Sequence, residues 1–349
     1  MPPLSRRQIL RGLPLLAAPS FAKASDAAPL RDIVFGSCLD THEHPMLDAT
    51  LKLPRDLFLF MGDNIYGDKG GLPMIREKYV LLKNSRFFQG LQDKPILATW
   101  DDHDFGQNDG GASYPDKDEA QVEFWNWLDE PPDSIRRKQQ GVYQTQTFGP
   151  IGKRAQVILL DTRYFRSPLK KVPKEEALIG GPYVASDDPS TTMLGETQWQ
   201  WLEQTLSQPA ELRLIVSSIQ FAPEVHGGEC WANLPHERQR MLDLIQKTRA
   251  AGIVFLSGDR HWCEFSKIEG PTGYPIHDFT SSSMTQKHPR GTPTPNRNRF
   301  SDTTYHLPNV GHLQIHWEAP DPTLRVDIVN QDGQSTLSHT MALSQLQPR

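Results

Sequence analysis

The sequence has few cysteines, no basic excess and no long apolar segment after its N-terminal region. Its 349 residues include only 3 cysteines, and the formal net charge is −5. A chain without a basic excess gives no indication of a nucleic-acid partner. No later segment approaches the roughly 18 consecutive apolar residues that span a bilayer, so we expect no transmembrane anchor. Glycine-rich fingerprints are also absent, and nothing therefore indicates a nucleotide cofactor.

The first residues show the pattern of an export signal. Arg6 and Arg7 precede a weakly apolar run at 12–21, and a small-x-small cleavage site ends at Ala24. Adjacent arginines before such a run are typical of twin-arginine signals, with an ordinary signal peptide as the alternative. We therefore predict a signal peptide at 1–24, the twin-arginine export machinery as a partner, and a periplasmic or secreted location.

The three cysteines permit one disulfide if the protein is exported. An oxidising compartment would allow Cys230 and Cys263 to pair, although the sequence does not show that they approach each other. Cys38 would then be the unpaired thiol, because its position at the end of a predicted strand favours another role.

Short apolar runs separated by amphipathic segments predict alternating strands and helices. Continuous apolar runs of this length fit strands that are buried on both faces. They lie at 32–38, 57–61, 95–100, 157–160, 214–218 and 253–257. Apolar residues recur at helical spacing at 72–83, 118–128, 195–206 and 236–250. This alternation predicts an α/β sandwich.

The C-terminal part of the chain has a different pattern. Alternating or β-rich segments lie at 311–317, 323–329 and 335–341, with turn residues between them. These segments predict antiparallel strands that close a sheet. Since no shift in composition marks a second unit, we predict one domain at 30–345.

Most of the chemically reactive side chains follow directly after predicted strands. In open α/β sheets, ligands bind beyond the carboxyl ends of the strands. Gly62 and Asp63 come directly after an apolar run, and Tyr66 lies three residues further on. A carboxylate at a tight turn can bridge two cations, and a phenolate can reach back to one of them. A lone Gly-Asp pair after a strand is otherwise simply a turn.

The acidic cluster at 101–104 follows another predicted strand. Asp101, Asp102 and Asp104 would repel one another at a buried strand end unless cations or hydrogen-bond donors neutralise them. A metal site is the simplest resolution, with a solvated acidic loop as the alternative. His103 beside Asp104 predicts an imidazole whose tautomer and direction are fixed by that carboxylate.

Two further elements have the same arrangement. Asp259 and His261 are two positions apart after a strand, so an extended segment would point both to one side. Cys38 ends the first predicted strand. A buried cysteine is more often inert than a ligand, but its position beside the other strand ends favours a coordinated thiolate.

Taken together and in order, these motifs resemble those of the alkaline phosphatase D (PhoD-like) family of calcineurin-like metallophosphoesterases. The motifs are Gly-Ser-Cys at 36–38, Gly-Asp-x-x-Tyr at 62–66, Trp-Asp-Asp-His-Asp at 100–104, Leu-Asp-Thr-Arg at 160–163 and Ser-Gly-Asp-Arg-His at 257–261. The resemblance implies a four-layer α/β/β/α metallophosphoesterase sandwich with antiparallel C-terminal strands.

The resemblance also implies a binuclear metal centre, with ferric iron and a divalent cation such as Ca²⁺. The implied iron ligands are Cys38, Asp63, Tyr66 and His261. The implied ligands of the second cation are Asp63 as a bridge, Asp102 and Asp259. Hard oxygen ligands at this second position fit calcium, magnesium or manganese better than zinc.

Three residues would act on the substrate according to the same resemblance. His103 would contact the phosphate or protonate the leaving oxygen, and Asp104 would orient the imidazole. Arg163 would steady the phosphate oxygens, or would instead form a structural salt bridge to a carboxylate at a strand end.

The first metal-binding motif departs from the wider superfamily. That superfamily opens with Asp-x-His, whereas Ser37 and Cys38 occupy the position here. An Asp-x-His sequence does occur slightly later, with Asp40 and His42 at its ends. Because it lies past the predicted strand, we interpret it as a coincidental match and keep Cys38 as the ligand.

A second departure concerns the strand at 214–218. The superfamily supplies a metal-binding histidine after this strand, whereas the nearest candidate here is Gln220. Gln220 could line the site or leave the metal open to water. His226 in a glycine-rich loop and Asn108 after the acidic cluster are further possible ligands.

The functional hypothesis is hydrolysis of phosphate esters by a metal-bound hydroxide that attacks phosphorus in line. The enzyme would be an exported phosphodiesterase or phosphomonoesterase similar to alkaline phosphatase D, with diesters favoured. A non-catalytic metal- or phosphate-binding protein on the same scaffold is one alternative. A serine hydrolase at 281–283 is another, although this serine run lacks the Gly-x-Ser-x-Gly elbow.

Cleavage of the predicted signal peptide can be tested on the exported protein. We expect intact-mass measurement to give a mature chain that begins at Ser25, because the small residues that end at Ala24 suit signal peptidase. A mature chain that still begins at Met1 would contradict the prediction.

Overall fold

The computed structural model describes residues 28–270, 272–287 and 294–348, and the predicted signal peptide at 1–24 lies outside them. The strands of the described part are β1 (Asp32–Gly36), β2 (Leu57–Met61), β3 (Ile96–Thr99), β4 (Gln144–Phe148), β5 (Ala155–Leu159), β6 (Leu212–Ser217), β7 (Ile253–Ser257), β8 (Cys263–Ile268), β9 (Ile276–Ser281), β10 (Asn309–His316), β11 (Thr323–Asn330) and β12 (Ser335–Ala342). The α-helices are α1 (Pro45–Lys52), α2 (Gly71–Asn84), α3 (Arg86–Leu91), α4 (Asp102–Phe105), α5 (Lys117–Trp127), α6 (Ile135–Lys138), α7 (Gly195–Leu206) and α8 (Pro235–Thr248).

The strands form two six-stranded sheets within the described residues. The first has the order β12-β11-β10-β1-β2-β3, and the second has the order β4-β5-β6-β7-β9-β8. β1, β2 and β3 are parallel, and β10, β11 and β12 extend the first sheet in antiparallel pairs. In the second sheet β5, β6, β7 and β9 are parallel, with β4 and β8 antiparallel at the two edges.

Alternate residues of the first sheet face two different apolar cores. Ile33 and Phe35 of β1 belong to the core that the two sheets share, whereas Val34 belongs to the opposite one. The buried residues of α1, α2, α3 and α5 pack in that second core. Trp199 of α7 and Met241 of α8 pack with the second sheet. The helices therefore lie outside two stacked sheets, and the predicted four-layer α/β/β/α sandwich is confirmed.

Most of the predicted elements are present with small shifts in their ends. The six apolar runs correspond to β1, β2, β3, β5, β6 and β7, and the C-terminal segments form β10, β11 and β12. The four amphipathic segments form α2, α5, α7 and α8. The edge strand β4 carries half-buried polar residues and lacks an apolar run. β9 is fully buried but contains His277 and Asp278, which hide its strand character in the sequence.

Close contact between β1 and β10 requires a glycine at position 311. Gly311 pairs with Phe35 across the antiparallel ladder. A Cβ atom built at position 311 would lie 2.1 Å from the Phe35 ring, which is far inside van der Waals contact. The absent side chain lets the aromatic ring fill the space between the strands.

We predict that Gly311→Ala destabilises the fold by about 1–3 kcal/mol, since the added methyl group overpacks the contact with Phe35. Urea denaturation of the purified variant measures the change. His316→Ala is the matched control, because this exposed residue ends the same strand and should change the free energy of unfolding by less than about 0.5 kcal/mol. Equal stabilities of the two variants would contradict the prediction.

Candidate metal centre

The four ligands predicted for the first metal lie together beyond the carboxyl ends of β1, β2 and β7. The Cys38 Sγ is 3.4 Å from Asp63 Oδ2, and the Tyr66 hydroxyl is also 3.4 Å from that oxygen. The Tyr66 hydroxyl is 3.0 Å from Nε2 of His261. One ligand atom from each of Cys38, Asp63 and His261 lies within 4.8 Å of the others. The folding of distant segments therefore assembles a thiol, a carboxyl, a phenol and an imidazole around one point.

The backbone at these positions adopts a conformation that non-glycine residues seldom use. The φ angles are 61° at Cys38, 50° at Asp63, 70° at Asp259 and 58° at His261. Each residue lies in the left-handed region, where the Cβ atom is crowded. Such strain concentrates at functional sites, because the surrounding structure must hold it. The sequence analysis expected an extended segment to point Asp259 and His261 to one side. That expectation is wrong, because both residues lie in left-handed turns.

A second group of possible ligands adjoins the first one. Ligand atoms of Asp63, Asp102 and His103 lie within 4.8 Å of one another, and Asp63 belongs to both groups. The backbone N–H of His103 also donates to Asp63 Oδ1 at 3.3 Å. Burial raises the pKa of Asp259 to about 6, and the charge of Asp102 adds to that increase. Asp63 is therefore the residue that the two groups of possible ligands share.

Burial without a cation penalises the ionised forms of this cluster. Burial raises the pKa of Cys38 to about 12, and it raises the pKa of Asp63 and Tyr66 well above their usual ranges. Burial also acts to raise the pKa of Asp102, but Arg163 and His103 bring it down to about 2. Among the described residues, Asp102 Oδ1 is buried and has no hydrogen-bond partner. An acidic cluster with an unpaired buried oxygen fits a bound cation, which would stabilise the ionised ligands.

His103 is held by a residue that the sequence analysis did not identify. Its Nδ1 lies 2.7 Å from Asp68 Oδ1, and its ring centroid is 4.2 Å from that of Tyr66. Burial acts to lower the pKa of His103, but the charge of Asp102 and the hydrogen bond with Asp68 outweigh it and raise the pKa. The prediction that Asp104 orients the His103 imidazole is therefore wrong. Asp68 lies 35 positions before His103, so adjacency in sequence gave no signal.

Asp104 joins two turns of the chain and does not hold the imidazole. Its carboxylate accepts the backbone N–H of Asp101 at 2.6 Å and the side-chain amide of Asn64 at 2.6 Å. It also accepts the backbone N–H groups of Asp63 and Asn64 at 3.3 and 3.2 Å. Burial raises the pKa of Asp104 to about 7. These contacts fix the turn after β2 against the start of α4.

Arg163 lies in a buried network of ion pairs. Its side chain is 0% exposed, and it contacts Asp101 through two nitrogens and Glu229 at 2.5 Å. Arg166 pairs with the other oxygen of Glu229 at 2.7 Å. The structure thus favours the salt-bridge alternative for Arg163. Its guanidinium group already forms ion pairs with the carboxylates of Asp101 and Glu229.

Asp109 and Glu229 are site residues that the sequence analysis missed. Together with Asp102 they form a third group, with ligand atoms within 4.8 Å of one another. The backbone N–H of Asp109 donates to Asp102 Oδ2 at 2.7 Å, and the hydroxyl of Tyr183 donates to Asp109 Oδ2 at 2.6 Å. Burial raises the pKa of Asp109 to about 6, with a further contribution from Glu229. Glu229 follows the glycines of the loop that contains His226, and nothing in this local sequence distinguishes it as a ligand.

The other possible ligands have different surroundings. Gln220 is buried, and its amide donates to Glu264 at 2.7 Å and to Thr280 at 2.9 Å. Asn108 and Asp40 are exposed, which does not favour either as a ligand of the buried cluster. His42 lines a surface cleft with Glu43 and Arg86.

The three cysteines are unpaired in the described residues, and the serine run at 281–283 contacts the candidate metal centre. Cys38, Cys230 and Cys263 are all free thiols, so the structure does not contain the Cys230–Cys263 disulfide. Ser282 Oγ lies 3.1 Å from Cys38 Sγ and accepts the backbone N–H of His261 at 2.9 Å. The serine run therefore supports the thiol and the turn at 261.

No helix of the described ranges combines the length and apolar character that a bilayer-spanning helix needs.

Known proteins share both sequence and fold with this chain. The PhoD-like phosphatase family matches residues 71–319. Alkaline phosphatase D of Bacillus subtilis (strain 168) is 25% identical over 280 residues, a segment that covers 67% of this chain and 46% of that relative. The chain thus spans less than half the length of this relative.

Two solved structures share the fold at lower identity. A structure of PhoD has a TM-score of 0.68 and 18% identity, and the match covers 92% of this chain and 70% of that one. GAP50, the anchor in the inner membrane complex of Plasmodium, has a TM-score of 0.54 and 13% identity, with coverage of 92% and 90%. At these identities the likenesses show the fold, while the family match covers well over half of the sequence. The chain therefore belongs to the PhoD-like phosphatase family.

Proposed function

We propose that this protein is an exported, metal-dependent phosphoesterase that hydrolyses phosphodiesters and, more broadly, phosphomonoesters. The observation that carries the proposal is the assembly of Cys38, Asp63, Tyr66 and His261 around one point, with His103 beside it. Membership in the PhoD-like phosphatase family supports the reaction class. We propose a single catalytic domain at 30–345, after a twin-arginine signal peptide at 1–24 that directs the protein to the periplasm or the exterior.

The metal pair in this proposal is ferric iron and a divalent cation such as Ca²⁺. Iron would be held by Cys38, Asp63, Tyr66 and His261. The divalent cation would be held by Asp63, Asp102 and Asp259, whose oxygens suit a hard cation. Bound there, the metals would supply Lewis-acid polarisation of the phosphoryl group and a lower pKa for the attacking water. The orphaned oxygen of Asp102 and the raised pKa of Asp63 support this assignment.

His103 acts in the proposed reaction as the proton donor to the leaving oxygen. Asp68 forms a hydrogen bond with Nδ1 of His103, so the Nε2 atom is the one that can face the substrate. The raised pKa keeps the imidazole protonated to a higher pH than an ordinary histidine. Packing against the Tyr66 ring fixes the plane of the imidazole. Asp68 is a positioning residue, since its contact is with His103 and not with the substrate.

Hydrolysis of bis(p-nitrophenyl) phosphate and p-nitrophenyl phosphate tests the proposal directly. We expect the purified protein to cleave both, to lose activity after thorough chelation, and to regain it when iron and calcium are restored. His103→Ala should lower kcat by roughly 100- to 10,000-fold with the metal content unchanged, as expected for a general acid. Metal-loaded protein that cleaves neither compound would favour a non-catalytic binding protein, and activity that survives chelation would favour a serine hydrolase.

The positioning role of Asp68 gives a separate prediction. Asp68→Asn removes the charge that holds Nδ1 of His103, so kcat should fall roughly 10- to 100-fold. KM and metal content should stay close to those of the unchanged protein, because the variant alters neither the ligands nor the cavity. Steady-state kinetics and elemental analysis measure the three quantities. A variant with a normal kcat would contradict the role of Asp68.

Asp104→Asn is the matched control, because it makes the same chemical change next to the same histidine. The new side-chain amide would face backbone N–H groups that now donate to the Asp104 carboxylate. The free energy of unfolding should therefore fall by about 1–3 kcal/mol. The protein that remains folded should retain more activity than Asp68→Asn. The opposite ranking would restore Asp104 as the residue that orients His103.

A further inference from the structure

A second arginine lies directly at the metal centre, and its ion pairing is much weaker than that of Arg163. Arg260 stands between the proposed ligands Asp259 and His261, and its side chain is 10% exposed. Its one ion pair in the described residues is with Asp259, at 3.4 Å. Its Nε atom is buried and has no hydrogen-bond partner in the part of the chain that the structure describes. The Arg260 side chain thus has an unused hydrogen-bond donor beside the cluster that would bind the metals.

The position of the Arg260 guanidinium group is determined by two neighbours. The group lies over the Trp262 ring, 4.7 Å from its centroid. On the loop after β6, a Cβ atom built at Gly228 would lie 2.0 Å from Nη1 of Arg260. The guanidinium group therefore occupies the space that a side chain at 228 would need. An arginine held this firmly loses little further side-chain entropy when it binds an anion.

His226 places another unused donor next to the same glycine. It is 2% exposed, and its Nδ1 accepts the backbone N–H of Gly228 at 3.1 Å. A neutral imidazole that accepts at Nδ1 carries its proton on Nε2. This Nε2 is buried, and none of the described residues forms a hydrogen bond with it. A buried donor without a partner is costly, and such groups need an explanation.

We propose that Arg260 and His226 form the subsite that receives a non-bridging oxygen of the substrate's phosphate group. The inference rests on the proposed function, and it gives Arg260 the role that the sequence analysis had assigned to Arg163. Planar guanidinium groups bind phosphate oxygens through charge-assisted hydrogen bonds. Arg260 lies beside the proposed ligand Asp259, with Nη1 3.4 Å from Asp259 Oδ2, and Gly228 connects it to His226. Phosphate would give the Nε2–H of His226 the partner that it lacks.

Binding of inorganic phosphate tests the subsite independently of catalysis. Isothermal titration calorimetry on the purified protein, with its metal content measured, gives the dissociation constant. Arg260→Gln should weaken phosphate binding at least about tenfold, the loss expected for a charge-assisted hydrogen bond, and should keep the metals. Arg297→Gln is the matched control, since this arginine is 90% exposed and its ion pair with Glu224 is long, at 3.7 Å. It should leave binding within about twofold.

Two further variants keep the proposal testable if Arg260→Gln does not fold. Gly228→Ala would displace the guanidinium group without changing Arg260, and His226→Asn would remove the Nε2 donor. Both should also weaken phosphate binding. Unchanged phosphate binding in the folded variants would overturn the proposal, and so would a metal-loaded protein that binds no phosphate.

The same titration separates this inference from the proposed function. Protein that binds phosphate through Arg260 but hydrolyses no phosphate ester would leave the subsite standing and refute the enzyme. Protein that hydrolyses phosphate esters with the same KM and the same phosphate affinity in Arg260→Gln would support the enzyme and refute the subsite.

Discussion

The burial of several acidic groups where the two sheets meet is the constraint on which the rest of the structure depends. Asp63, Asp101 and Asp102 are almost fully buried, together with the Cys38 thiol. Like charges this close cannot all ionise in a low-dielectric interior without compensation. Arg163 and Arg166 compensate part of the charge, on the side of Asp101 and Glu229. In the described ranges no arginine or lysine forms an ion pair with Asp63, and this is where the ligand geometry fits a cation.

The fold meets this constraint by holding each ligand on a short, rigid turn after a strand. Left-handed turns at Cys38, Asp63, Asp259 and His261 are sustained by contacts from neighbouring segments. Asp104 holds the turn at 63, and Ser282 holds the turn at 261. Two buried donors near these turns, Arg260 Nε and His226 Nε2, have no hydrogen-bond partner among the residues described. A site preorganised in this way needs little rearrangement when cations and an anionic substrate arrive.

Much of the architecture could be predicted from the sequence, because buried parallel strands leave long apolar runs. The runs at 57–61 and 253–257 coincide with β2 and β7 in full. Residues at the ends of these strands could be assigned to the site, since the carboxyl ends of parallel strands meet. The partner of His103 could not be predicted, because Asp68 and His103 meet only through tertiary folding. Glu229 was missed for the same reason. The burial of Arg163 could not be predicted from the residues next to it in the sequence.

In the proposed centre, the buried cluster around Asp63 holds iron and a second cation. Elemental analysis of the purified protein, combined with its visible absorption spectrum, tests this claim most directly. We expect iron together with about one equivalent of a divalent metal, and an absorption band from phenolate bound to iron that disappears in Tyr66→Phe. Folded protein that contains no metal, and that takes up neither iron nor calcium when they are supplied, would contradict it.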